Sequence, residues 1–136
     1  MGGRGFHEFP SLEGIHVLLV EDEPDARELL EVVIEYADGL VTAVGSAVAA
    51  LDTLTRVRPD VLLIDIVMPV HDGYWLLDQV RNLEFGKTVP AVAVTGRIRV
   101  HDRARALRAG FNTYLTKPVD PLELCRVIRE VARRDA

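Results

Sequence analysis

Five short apolar runs punctuate the chain at nearly even intervals: HVLLV (16–20), LVTAV (40–44), VLLI (61–64), AVAV (91–94) and TYLT (113–116). The stretches between them carry helical spacing instead. Leu29, Leu30, Val33 and Ile34 form one stripe. Ala47, Leu51 and Leu54 recur at i, i+4, i+7, as do Val100, Ala104 and Leu107, and Leu124, Ile128 and Val131. Residues with cap chemistry mark the helix ends. Pro24 suits a first helical position, Ser46 and Asp72 suit N-caps, and Asp120, Pro121 and Glu123 supply a cap, a proline at N1 and a capping-box acid. Gly39 and Gly110 sit where helices should stop.

Strand and helix alternating five times predicts an α/β domain, a parallel sheet covered by helices on both faces. The runs at 61–64 and 91–94 are apolar at every position, as strands buried on both sides should be. No repeat, low-complexity segment or linker divides the chain, so residues 15–134 read as one domain behind a flexible glycine-rich leader over 1–14.

Composition narrows the class. At 136 residues and 15.1 kDa the chain has room for one ordinary domain with a real core, and none for a further output domain. Its 49% hydrophobic and 27% charged residues fit a soluble globular protein, and no apolar run approaches a membrane span. MGGRGFHEFP lacks the apolar core of a signal peptide, and the single Cys125 excludes an internal disulfide, so the expected location is cytoplasmic. A net charge of −5 disfavours direct nucleic-acid binding.

One run ends oddly. VLLI stops at Asp65 before Ile66, Val67 and Met68 return to apolar, and an ionised carboxylate without a partner costs several kcal/mol to bury. In an open parallel sheet the ligand site lies beyond the carboxyl ends of the strands. The residues there are Glu21 and Asp22 after the first run, Asp65 after the third, Thr95 after the fourth and Lys117 after the fifth; only the second ends blandly, in Val44, Gly45 and Ser46. Three converging carboxylates either raise a pKa or recruit a cation, and hard oxygen donors suit Mg²⁺. The cluster predicts a metal-assisted phosphoryl site, with Asp65 as nucleophile, Glu21 and Asp22 on the metal side, and Thr95 and Lys117 as donors. Lys117 stands out further because Lys87 is the chain's only other lysine.

Taken together, VLLVEDE, LLIDIVMPVHDG, AVTG and YLTKP resemble, in order and spacing, the receiver domains of bacterial two-component response regulators, across about residues 15–134. The resemblance implies a flavodoxin-like (βα)5 fold with strand order 2-1-3-4-5. It also implies residue roles: Asp65 as phosphoacceptor, Asp22 as direct Mg²⁺ ligand, Glu21 holding the metal through water, and the Val67 carbonyl as a further ligand. Thr95 and Lys117 would contact the phosphoryl group, Tyr114 would be the switch aromatic, and the Lys117–Pro118 bond would be cis. Met68, Pro69 and Gly73 would shape the loop beyond the acceptor. A histidine kinase or histidine phosphotransfer protein would be the phosphodonor. A downstream protein would bind the face of the fourth helix, fifth strand and fifth helix, and the chain would be a monomer or weak dimer.

Three positions depart from the commonest pattern. Glu21 replaces aspartate, Gly96 replaces alanine, and Val67 offers no polar side chain to orient an attacking water, which predicts a long-lived phosphorylated state. A phosphohydrolase working through an aspartyl phosphate would want an acid at Val67, two residues past the nucleophile. A pseudo-receiver that only binds a partner would not need the acceptor, the acids and the lysine intact. Neither phosphate-binding glycine motif of the nucleotide enzymes is present.

Other residues read more plainly. Arg97, Arg99, Arg103, Arg105 and Arg108 form a solvated helix face or a docking surface for an acidic partner. His71 and His101 stand apart from any ligand pattern. Tyr74, Trp75 and Cys125 read as core packing. The lead-in SLEGIHVLLVEDE fits a stand-alone single-domain regulator or the receiver of a larger hybrid sensor kinase.

Overall fold

A computed structural model describes residues 9–96 and 100–133, and within the latter span not the side chains of Val100, His101 and Arg133. The expectations placed on Arg97 and Arg99, on the side chains of Val100 and His101, and on residues 1–8 of the leader lie outside the described residues. Strands β1 (His16–Val20), β2 (Leu40–Val44), β3 (Val61–Asp65), β4 (Ala91–Thr95) and β5 (Thr113–Thr116) alternate with helices α1 (Pro24–Tyr36), α2 (Ala47–Thr53), α3 (Gly73–Arg81), α4 (Val100–Arg108) and α5 (Pro121–Arg133). All strand pairings are parallel and the order is β2-β1-β3-β4-β5, the doubly wound sheet that the sequence predicts.

Why the strands are apolar throughout is visible in the two cores. Leu18 and Val20 of β1 point to one face, where they meet Leu62, Ile64, Ala50 and Leu77 beneath α2 and α3. Val17 and Leu19 point to the other and meet Leu63, Val92, Ile34, Leu124 and Ile128 beneath α1 and α5. With a side-chain period of two and both faces covered, each position of β3 and β4 is buried. Leu12 and Ile15, ahead of β1, extend the second core, and the Leu12 amide donates to the Ala37 carbonyl.

Local chemistry sets the helix ends. Ser46, Asp72 and Asp120 accept from the amides of Ala49, Trp75 and Glu123 at 3.0, 2.9 and 3.0 Å. Pro24 opens α1 as expected, and the capping acceptor there is Glu23, which takes the Ala26 amide at 2.7 Å. Gly110 adopts φ 109°. The left-handed residue after α1 is Asp38, at φ 72°, and not Gly39. What Gly39 provides is clearance: a Cβ there would lie 2.8 Å from Ile34 Cγ2 and 3.1 Å from Leu12 Cβ.

Two stripe members face outward. Leu29 is 64% exposed, because its neighbours Leu30 and Ile34 suffice to seat α1. Leu107 is 53% exposed, and Ala106, at 2%, takes the inward place on α4 with Phe111 following it. On α4 the phase is one residue off, whereas on α1 the stripe holds at Leu30, Val33 and Ile34 and loses only Leu29.

Gly73, at the start of α3, is pressed against the end of β3. A Cβ there would fall 2.7 Å from the Asp65 carbonyl oxygen and 2.9 Å from Ile66 Cα, and the Gly73 amide donates to the Ile66 carbonyl at 2.8 Å. Both obstacles are backbone. Gly73→Ala should therefore cost about 1–3 kcal/mol, the usual penalty of overpacking. Urea denaturation checks this, with an unchanged midpoint counting against so tight an approach.

Candidate functional site

The parallel register brings the strand ends into line. Asp65 closes β3 opposite Val94, Thr95 closes β4 opposite Thr116, and the Lys117 amide donates to the Thr95 carbonyl at 2.8 Å. Glu21 and Asp22 follow β1 directly, and the Glu21 amide is held by the Val44 carbonyl of β2 at 3.1 Å. One oxygen each from Glu21, Asp22 and Asp65 lies within 4.8 Å of the others.

Glu21 is 1% exposed and Asp65 4%, while Asp22 is half-buried, so the cluster sits in the end of the sheet with one side open. Lys117 Nζ is 2.9 Å from Asp65 Oδ2 and 3.4 Å from Glu21 Oε1. The other oxygen of Asp65, Oδ1, accepts the Val67 amide at 3.2 Å, and Glu21 Oε2 accepts the Glu23 amide at 3.1 Å. Among the described residues Glu21 Oε1 is buried with no hydrogen bond, and it forms the longer ion pair to Lys117.

Burial pushes the Glu21 carboxyl above the ordinary range; the Glu23 amide pulls it back, and the charge of Asp65 adds to the rise. For Lys117, burial pulls the ammonium down. The hydrogen bond and charge of Asp65, with Glu21 behind them, outweigh it and leave the pKa raised. Three carboxylates thus share one ammonium. A site with excess negative charge, hard oxygen donors and a buried oxygen without a hydrogen bond fits a small divalent cation such as Mg²⁺.

Beyond Asp65 the chain turns sharply. The His71 amide donates to the Pro69 carbonyl at 2.8 Å, closing a three-residue turn with Val70 at its centre, at φ 71° and almost fully exposed. Met68 is buried beneath this turn, and the Val67 side chain is 72% exposed beside Asp65. His71 stacks on Trp75 with ring centroids 3.7 Å apart. Across the site the Lys117–Pro118 bond is cis.

Thr95 lies at the rim of a cavity of about 190 Å³ that reaches between β4 and α4. Ala93, Ala106, Tyr74, Arg105 and Tyr114 also line it, so Thr95 and Tyr114, predicted as partners in a switch, face one space. Two arginines of α4 are not merely solvated. Arg105 stacks over Tyr74 at 4.0 Å and Arg103 over Tyr114 at 5.7 Å. Tyr74 is raised in pKa by burial, with Arg105 opposing. Tyr74 and Trp75 pack against the core only in part. Cys125 is fully buried, its thiol pushed up to about 11, as suits a small core residue.

Sequence reasoning missed two residues here. Arg27, in the first turn of α1, donates through Nη1 to the Glu21 carbonyl at 2.9 Å and lies 3.5 Å from the Asp22 carbonyl. Gly45, after β2, faces that guanidinium. An arginine on a helix otherwise rich in exposed charge carried no signal, because only the fold turns it back toward the strand end.

Comparison with known proteins agrees with this geometry. The response regulator receiver domain model matches residues 17–129. The chain is 46% identical over 120 residues to an uncharacterised 14.6 kDa protein of Leptolyngbya boryana, covering 88% of this chain and 92% of that one. It is 35% identical to response regulator Rre1 of Synechocystis, with 90% of this chain aligned to 53% of the relative; it spans about half the length of most curated relatives it matches. Among solved structures, the receiver domain of a Pseudomonas aeruginosa sensor histidine kinase, with a magnesium ion in its active-site cleft, superposes with a TM-score of 0.81. Identity there is 35%, covering 88% of this chain and 98% of that one. The chemotaxis response regulator CheY4 of Vibrio cholerae gives 0.81 at 25% identity, covering 86% and 98%. By fold, motif order and match length, the chain belongs to the response regulator receiver domain family.

Proposed function

We propose that residues 15–134 act as a phosphoacceptor switch of a cytoplasmic two-component pathway. Asp65 takes a phosphoryl group from a histidine kinase or a histidine phosphotransfer protein. The observation that carries this reading is the Asp65 carboxylate itself: nearly buried at the open end of the sheet, paired to Lys117 at 2.9 Å and facing two further acids. A Mg²⁺ held by Glu21, Asp22, Asp65 and the Val67 carbonyl would offset the charge that builds as phosphate oxygens enter. The chain then acts as a regulatory domain whose only chemistry is its own phosphorylation and its slow reversal.

Each residue has a part in that step. An oxygen of Asp65 forms the new O–P bond as the donor's N–P bond breaks and the imidazole leaves with the electron pair. The Val67 amide, already on Oδ1, keeps the carboxylate from rotating. Lys117 follows the negative charge from Oδ2 to a phosphoryl oxygen. Thr95 binds another, and its movement draws Tyr114 into the cavity they share, changing the α4–β5–α5 face that a downstream protein reads. The exposed Val67 side chain has no group to orient water, so the phosphorylated state persists. Nothing in this cycle calls for nucleic acid or a membrane. Among the described residues no helix is long and apolar enough to cross one.

Incubation with phosphorylated histidine kinases should label the wild-type chain in a Mg²⁺-dependent manner, while Asp65→Asn stays unlabelled; label on that variant would overturn the assignment. Val67→Asn should shorten the phosphorylated lifetime severalfold, followed by loss of label after the donor is removed.

Stability should also respond to Glu21. Because its folded pKa is raised, the stability it contributes is present at low pH and is lost as pH rises above about 4.5 through the raised value. Glu21→Gln should therefore stabilise the metal-free chain at pH 7, by about 1 kcal/mol on the scale of one buried unpaired acceptor. The advantage should shrink toward pH 4.5, and Mg²⁺ should raise Tm less than in wild type. Calorimetric melts with and without MgCl₂ read both effects.

A further inference from the structure

We propose that Arg27 is a positioning residue of the acidic site, holding the Glu21–Asp22 backbone so that both carboxylates face Asp65. The inference rests on the reading of that site as a Mg²⁺ and phosphoryl centre. Arg27 projects from the first turn of α1 back toward β1, with Nη1 2.9 Å from the Glu21 carbonyl and 3.5 Å from the Asp22 carbonyl. These bonds go to the backbone and not to the acids. The guanidinium fixes the loop while leaving the carboxylate oxygens to a cation.

Gly45 supplies an independent observation. A Cβ built there would lie 2.9 Å from Arg27 Nη1 and 3.7 Å from its Cζ, and would meet no other group within 4 Å. The space beside Gly45 is therefore shaped for the guanidinium. The apparently featureless end of β2 is the seat of Arg27. The acid loop is gripped on two sides, by the Val44 carbonyl on the Glu21 amide at 3.1 Å and by Arg27 on the Glu21 carbonyl.

Such grip matters because like-charged carboxylates push the loop apart, whereas Mg²⁺ demands near-ideal octahedral geometry and tolerates little slack. Loss of a group that orients metal ligands from behind typically weakens metal binding about 10–100-fold. Arg27→Met, which keeps an unbranched apolar stem and removes the donors, should weaken Mg²⁺ binding about tenfold or more. Arg27→Lys, with one compact donor group, should recover part of the loss.

The experiment is an MgCl₂ titration of the ¹⁵N-labelled full chain at constant ionic strength without phosphodonor, following the amides of Glu21, Asp22 and Asp65. Amide exchange at Asp22 and Glu23 is measured without metal. Support would be weaker binding in Arg27→Met, faster exchange at those two amides, and weaker binding in Gly45→Ala that adds nothing in the Arg27→Met background. Wild-type affinity in Arg27→Met, with only a lower Tm, would overturn the inference and leave the site reading standing, as would a Gly45→Ala effect that persists without the guanidinium. A wild-type chain that does not bind Mg²⁺ would overturn both.

Discussion

The ion pair between Lys117 and Asp65 is the interaction around which the open end of the sheet is organised. Without it, three carboxylates would meet in a largely buried setting, where like charges repel far more strongly than in water. One ammonium against three acids leaves the balance negative; burial, with the charge of Asp65 adding to it, raises the Glu21 pKa, and one Glu21 oxygen is left without a hydrogen bond. The excess negative charge leaves the site suited to an added cation.

Only a stiff frame keeps mutually repelling groups this close. β3 and β4 are buried at every position, and the register that pairs Asp65 with Val94 and Thr95 with Thr116 leaves the strand ends no freedom to splay. The loops that carry the acids are tied in turn: Glu21 to β2, Gly73 to Ile66, Lys117 to Thr95. Adaptable space is placed elsewhere, in the cavity between Thr95, Tyr114 and α4, and on a helix pinned by arginine–aromatic stacks. Rigidity sits where charge is concentrated, and room lies between Thr95 and Tyr114.

Much of this is legible in the sequence for a simple reason. In a parallel sheet one rule fixes where strand ends point, so Glu21, Asp22, Asp65, Thr95 and Lys117 announce themselves as polar residues closing apolar runs. The convergence of acids and lysine needs no contact information beyond strand order. Helix phase is less determined: on α1 either Leu29 or its neighbours could face inward by period alone, and on α4 it is an alanine, Ala106, and not Leu107 that takes the inward place. Gly39 was read as a helix stop, and it does close the end of α1 through its amide on the Ile34 carbonyl; its clearance over the Ile34 side chain is a property of tertiary packing that no local pattern encodes. Arg27 and Gly45 escaped for the same reason, since each has meaning only in the presence of the other.

The stacked pair His71 and Trp75 carries one more consequence. Trp75 is the chain's single tryptophan, and its ring partner stands on the turn that leads from Asp65 to α3. That turn is centred on a valine in a left-handed conformation that β-branched residues resist. The indole thereby sits against the positive-φ turn beyond Asp65, and its intrinsic emission offers a built-in optical gauge of that loop, with no dye attached.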